Sequence, residues 1–255
     1  MYAEERRQAM ADLIAQRGRL SVNELADAYA VTTETVRRDL STLERAGVIR
    51  RVHGGAVPAE ALTLLEPAVG DRQLAQAEQK ERIAQAAVAL LPGDGGSVLL
   101  DAGTTTSRLA TLLPVDRRLT TITNAVPIAA RLAGLTSVDL HLLPGRVRRT
   151  TQAAVGEDTV AALSLLRVDV AFVGANGIDL AHGLTTPDHA EAAAKRAMVR
   201  AARRVVVLAD STKVGQEHTV RFADLADVDV LVTDDGLDDL DRKGLEERGI
   251  EVVVA

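Results

Sequence analysis

With 255 residues, 47% of them apolar but only 2% aromatic, the chain has room for one large domain or a small one beside a medium one, with cores of Leu, Val, Ile and Ala. The absence of cysteine excludes disulfides and thiolate metal sites, no apolar run reaches membrane-spanning length and no signal-peptide core is found, so a soluble cytoplasmic protein is expected. The formal net charge of −6 hides a division: residues 1–57 carry nine arginines against eight acids, with the arginines crowding at 37, 38, 45, 50 and 51, where a polyanion contact depends on local placement.

From Glu4 to Arg17 the apolar residues Ala9, Met10, Leu13 and Ile14 recur at helical spacing, and Gly18 ends that helix. Ser21, with Glu24 three residues on, predicts a capping box and a second helix through Leu25, Ala26 and Tyr29. After a tight turn at Ala30-Val31, Thr32 or Thr33 caps a third helix. Val36, Leu40 and Leu43 form its narrow apolar stripe, while Thr33, Thr35, Arg37 and Arg38 fall largely on other faces. Alone, that helix is either an ordinary surface helix with two arginines or one that offers donors to phosphates and base edges. Its neighbours favour the second: two helices and a tight turn precede it, the helix-turn-helix order. Gly47 then closes the helix, and Val48–Val57 reads as a small β-hairpin or wing with Arg50, Arg51 and His53 at its edge. The wing is an ordinary basic loop or a contact to the DNA backbone, and the helix pair beside it favours contact.

Glu5-Arg-Arg-Gln8, Glu24-Leu-Ala26, Thr35-Val-Arg-Arg-Asp-Leu40 and Arg50-Arg-Val-His-Gly-Gly-Ala56 resemble the N-terminal domain of the DeoR family of bacterial transcriptional repressors. The resemblance implies a winged helix-turn-helix over residues 1–57, joined to a larger domain that senses a phosphorylated sugar or a related metabolite.

Residues 58–75, with Pro58 and Pro67, read as a linker, and 76–255 as a second domain. Helix Glu78–Leu91 is followed by apolar strands at Ser97–Leu100, Leu119–Thr123, Val138–Leu143, Val168–Val173, Val205–Leu208, Val228–Val232 and Ile250–Val254, several separated by helical patterns. That alternation predicts an α/β fold with a mainly parallel, buried sheet, whose ligands bind beyond the C-terminal strand ends. The polar motifs lie in those places. Asp101 and Gly103-Thr104-Thr105-Thr106 stand between a strand and a helix expected at Arg108–Leu113; they form a phosphate site or a plain N-cap run, but not a Walker loop. Asn124 follows the next strand, and Gly174-Ala-Asn176-Gly177 a later one. Only four residues are lysine, against 26 arginines. Of these, Lys213 follows a strand in Asp210-Ser-Thr-Lys213, and Lys195 lies four after Glu191, either as a functional pair or as an ordinary helix-surface ion pair. The five histidines show no metal-ligand spacing; His182 and His189 are ligand donors or plain surface residues, and neither a metal nor a cofactor is expected.

Asp101-Ala-Gly-Thr-Thr-Thr106, Thr123-Asn124, Gly156, Gly174-Ala-Asn-Gly177, Gly183-Leu-Thr185, Glu191-Ala-Ala-Ala-Lys195 and Asp210-Ser-Thr-Lys213 resemble the effector domain of the same family, itself similar to ribose-5-phosphate isomerase. Two departures stand out. The family commonly has Gly-Gly before an arginine where this chain has Pro144-Gly145-Arg146, and the isomerase has an acidic residue where this chain has Asn176. A lost carboxylate suits binding without proton transfer. Leu62-Thr63 to Glu66-Pro67 resembles the fructose-operon branch, which makes fructose 1-phosphate a candidate effector. Two functions follow: a non-enzymatic repressor of a sugar-catabolism operon, partnered by double-stranded operator DNA, a phosphorylated sugar and further copies of itself as dimer or tetramer; or a sugar-phosphate isomerase carrying an accessory DNA-binding domain.

Overall fold

The computed structural model describes residues 3–17, 20–52, 55–58 and 69–255, and for 50–52 the backbone only. By contacts the chain divides into two units, 1–62 and 63–255. In the first, helices α1 (Ala3–Arg17), α2 (Val22–Tyr29) and α3 (Thr33–Arg45) pack with strands β1 (Leu20–Ser21), β2 (Ile49–Val52) and β3 (Gly55–Pro58), arranged β1-β3-β2 and antiparallel. Met10, Ile14, Leu25, Val36 and Leu40, none of them exposed, fill its core. The expected capping box is formed: Ser21 Oγ accepts from Glu24 N at 3.1 Å and Ser21 N donates to the Glu24 carboxylate at 2.8 Å. α2 ends on Ala30 in the left-handed region, φ +51°, where an alanine costs about 1–2 kcal/mol that a glycine would not.

The second unit begins earlier than sequence patterning suggests. Within the stretch expected as linker, Pro58 closes β3, and α4 (Val69–Leu74) packs on the second unit: the Arg108 guanidinium donates to Gln73 O at 3.2 Å and Lys80 Nζ to Arg72 O at 2.7 Å. The chain then runs through α5 (Ala77–Ala87), β4 (Ser97–Leu100), α6 (Thr104–Thr111), β5 (Leu119–Thr123), α7 (Val126–Leu132), β6 (Val138–Leu142), β7 (Arg146–Val147) and β8 (Ala154–Val155). It continues through α8 (Glu157–Ser164), β9 (Val168–Gly174), β10 (Gly177–Asp179), β11 (Gly183–Thr186), α9 (His189–Ala201), β12 (Ala202–Leu208), β13 (Val220–Ala223), β14 (Val230–Thr233), α10 (Asp239–Glu246) and β15 (Glu251–Val254). Seven strands form one wholly parallel sheet in the order β15-β14-β12-β9-β4-β5-β6. β7 and β8 make a hairpin, and β10, β11 and β13 a small antiparallel sheet.

Strand periodicity sorts the core into two layers. Val170 and Phe172 of β9, Val206 of β12 and Val230 of β14 join Ile83, Leu109 and Ile128 of α5, α6 and α7. The alternate residues Ala171, Val173, Val205, Val207 and Leu231 face Leu163, Met198, Phe222 and Leu245 on the opposite side. Both faces are thus covered, as parallel sheets require. Some boundaries move. α6 starts at Thr104 rather than at Arg108, and the Val228–Val232 strand shifts to 230–233 because a 3-10 turn at Leu225–Asp227 uses Val228 N.

Candidate functional site

Chain order identifies where a ligand belongs. From β4 the sheet grows outward through β5 and β6; the chain then returns to place β9 on the other side of β4 and grows the opposite way through β12, β14 and β15. β4 and β9 are therefore the topological switch point, where the connections diverge and leave a crevice beyond the strand ends. Asp101 follows β4 and Gly174 ends β9. Lys195, from α9, spans the two: its Nζ donates to the Asp101 carboxylate and, at 2.9 Å, to Gly174 O, while Gly174 N donates to Asp101 Oδ2 at 3.0 Å. Both charged residues are buried, at 2% and 5% exposure, and the ammonium also lies 5.5 Å from the centre of the Phe222 ring. Burial pushes the Asp101 carboxyl up, against the pull of Lys195 and the Gly174 N–H.

Glu191 and Lys195 do not pair with each other, although both sit on α9 at i,i+4. Glu191 turns instead to the β7–β8 hairpin, accepting from Arg148 Nη1 at 2.5 Å and from the Thr151 hydroxyl. Arg148 also meets Asp188, the N-cap of α9, at 3.3 Å. Asn176, just past β9, accepts from Thr186 Oγ1 at 3.0 Å. These groups gather at the same end of the sheet as Asp101.

The threonine run divides by role. Gly103 is the N-cap of α6, so Thr104, Thr105 and Thr106 form its first turn, where backbone N–H groups are free to meet an anion. Thr106 is fully buried and its hydroxyl donates to Asp101 O at 2.7 Å and Gly103 O at 3.0 Å, so that hydroxyl shapes the turn. Thr104 and Thr105 keep hydroxyls that bond to no described residue. Asn124 is likewise a structural bolt: its Oδ1 accepts from Ala102 N at 3.1 Å and its Nδ2 donates to Ala154 O at 3.0 Å. Gly145, φ +138°, has no space for a side chain, since a Cβ would lie 2.2 Å from Thr159 Oγ1. Arg146 beside it is exposed on β7. Neither therefore stands among the buried groups of the crevice.

Lys213 lies in the 3-10 turn Ser211–Lys213 that follows β12. It brings in a residue that sequence reasoning passes over. Lys80 of α5 is 5% exposed, donates to Arg72 O at 2.7 Å and Ala75 O at 2.6 Å, and has been pushed down to about pKa 8 by burial; the charges of Lys213, Arg72 and Arg108 lower it further while Asp210 opposes them. Its ammonium thus lies near Asp210, Lys213, Arg72 and Arg108, and has a third N–H beyond those two bonds. The signal was in the composition: Lys80 is one of only four lysines. A surface groove of about 350 Å³ between α8 and α9, lined by Val160, Leu163, Arg196 and Arg200, contains none of these residues.

In the first unit, Thr32 caps α3, accepting from Thr35 N at 3.2 Å, so Thr33 is the first helical residue and half-buried. Thr35 bonds back to the Thr32 hydroxyl at 2.9 Å. Arg37 and Arg38 are exposed, and Glu34 reaches both, at 3.8 and 3.6 Å. Asp39, missed by sequence reasoning, is buried and accepts from Arg6 Nε at 2.7 Å, locking α1 to α3. Its position between Val36 and Leu43 on the apolar stripe was the clue. Arg50 and Arg51 lie on β2, their side chains outside the described residues, as is the whole of His53.

The DeoR-like helix-turn-helix domain matches residues 6–61, and the DeoR C terminal sensor domain matches residues 75–235. The chain belongs to the DeoR family. It is a transcriptional regulator and not an isomerase. It is 36% identical over 253 residues to the HTH-type transcriptional regulator GlpR of Haloferax volcanii, spanning 99% of this chain and 98% of that one. To a putative aga operon transcriptional repressor of Escherichia coli O157:H7 it is 33% identical, over 98% and 93% of the two chains, and to the HTH-type transcriptional regulator FruR of Bacillus subtilis 34%, over 92% of each. Among solved structures, a ribose 5-phosphate isomerase from Methanocaldococcus jannaschii is 18% identical over 55% of each chain, with a TM-score of 0.41. No helix among the described residues is long and apolar enough to cross a membrane.

Proposed function

We propose that this DeoR-family regulator represses a sugar-catabolism operon, gripping double-stranded operator DNA with α3 and the β2–β3 wing and changing that grip when a phosphorylated sugar enters the switch-point crevice. What supports it most is that the ends of β4, β9 and β12 carry a helix N-terminus, the buried Asp101–Lys195 pair and Lys213, with the charge of Lys213 felt at Lys80. Thr104, Thr105, Lys80 and Lys213 suit the phosphate, through backbone N–H, hydroxyl and ammonium donors. Asn176, Glu191 and the Asp101–Lys195 pair suit sugar hydroxyls. Fructose 1-phosphate is the first candidate. Near-equal identity to regulators bearing different names leaves overall likeness without a preference among sugars.

Coupling requires the sugar phosphate to bind one DNA-affinity state better than the other. The test is a titration of fructose 1-phosphate against the protein–operator complex, wild type beside Lys213→Ala. The variant should hold operator DNA as wild type does. Its response should need roughly tenfold or more of the sugar phosphate, since a charge-assisted bond contributes about 1.5–3 kcal/mol. Equal responses would remove Lys213 from the site; equal potency of unphosphorylated fructose would remove the anion requirement.

A further inference from the structure

The parallel sheet stops at β6, and that edge carries a pattern the ligand crevice does not use. Its sequence, Val138-Asp-Leu-His-Leu142, contains neither proline nor lysine, two of the devices that usually blunt an open strand edge. Asp139 and His141 share the solvent side, 76% and 59% exposed, with His141 Nε2 3.4 Å from Asp139 Oδ2. Leu142 is 52% exposed, and Leu135, in the turn before the strand, 37%.

We propose that β6 pairs antiparallel with β6 of a second copy of this chain, about a two-fold axis at Leu140, joining two sensor sheets into one. The chemistry of the strand is palindromic about that residue. Centred there, Val138 stands opposite Leu142 of the partner subunit, and Asp139 opposite His141 of the partner subunit. Both ends then gain a carboxylate facing an imidazole that can donate to it, and the apolar residues form one continuous ladder. A shift of centre to residue 139 sets carboxylate against carboxylate, and a shift to 141 imidazole against imidazole. Charge thus selects one register. The other sheet edge lacks this property, because β15 centred on Val252 sets Glu251 against Val253 of the partner subunit. The two-fold also closes the assembly at two copies, whereas a head-to-tail pairing of β6 with β15 yields a ring or an open filament.

The absence of cysteine makes the register testable in the full-length protein. In Leu140→Cys, the new thiol faces its own copy across directly opposed strands, where Cα atoms about 4.5–5.5 Å apart fall within disulfide reach. In Asp139→Cys the copies sit diagonally, about 7–8 Å apart, too far to bridge well. Mild oxidation should therefore cross-link Leu140→Cys at least tenfold more than Asp139→Cys, or than Leu240→Cys on the exposed start of α10. Sedimentation supplies a second reading without cysteine. His141→Asp should weaken self-association tenfold or more, and adding Asp139→His should restore it, because the exchanged pair again faces its complement. Cross-linking no better at 140 than at the control sites overturns the proposal, as does a swap that restores nothing.

Discussion

Lys80 holds its ammonium against two backbone carbonyls in a setting that disfavours the charge, with a pKa of about 8 against 10.5 for the free side chain. The sign follows from linkage. Between those values the unfolded chain binds more protons than the folded one, so this residue adds stability as pH rises from about 8 and costs it below. A phosphate arriving beside Lys80 reverses the balance by favouring the ammonium. Calorimetric titrations of sugar phosphate at pH 8, in two buffers of different ionisation heat, should report net proton uptake; Lys80→Met should abolish it. Asp101 and Lys195 set a sterner condition, since neither charge tolerates burial alone. Lys195→Met should lower stability by about 3–5 kcal/mol, seen as a fall in Tm, and Asp101→Asn in the same chain should recover much of the loss. No recovery would mean that Lys195 acts through packing on Phe222 instead. Partner choice is what the sequence hides at this scale. The i,i+4 spacing of Glu191 and Lys195 advertises a local pair, but tertiary contacts at 2.5 and 2.9 Å send them to Arg148 and Gly174.

Helices and strands were far more legible than ion pairs, because their signals are periodic. The capping box at Ser21, the Val36–Leu40–Leu43 stripe of α3 and the Val-rich strands all follow from spacing alone. What escapes is short or polar: the β10–β11 hairpin has three and four residues and no apolar run, and the first turn of α6 is all threonine. α3 also carries a prediction. Its two arginines are adjacent, about 100° apart around the axis, so one faces the groove floor more squarely and the other meets phosphate. Glu34 lies within ion-pair distance of both, a contact that a DNA-bound α3 would give up. Arg37→Ala and Arg38→Ala should each weaken operator binding, and the phosphate-facing one should lower the salt slope by about one unit. Operator affinity unchanged in both variants would move the DNA surface off α3.

At the scale of the sensor unit, β4 through β6 and β9 through β15 are two sets of strands that meet along a single strand pair, with Asp101 and Lys195 bridging its end. Ile83 and Leu109 share one core with Val170 and Val206, and α5 lies against β12 and β14 and α6 against β9, so packing crosses that seam as well. A ligand lodged over it would act as a clasp, with Thr104 and Asp101 on one side and Asn176, Lys195 and Lys213 on the other. Clasping is worth more to the fold than to either half. At a hundred times its Kd the sugar phosphate should add about 2.7 kcal/mol, and amide exchange should slow most in β4 and β9 rather than at the sheet's outer strands. Effector occupancy would then be legible as a stiffening along one line of an already continuous plate, the β4–β9 seam.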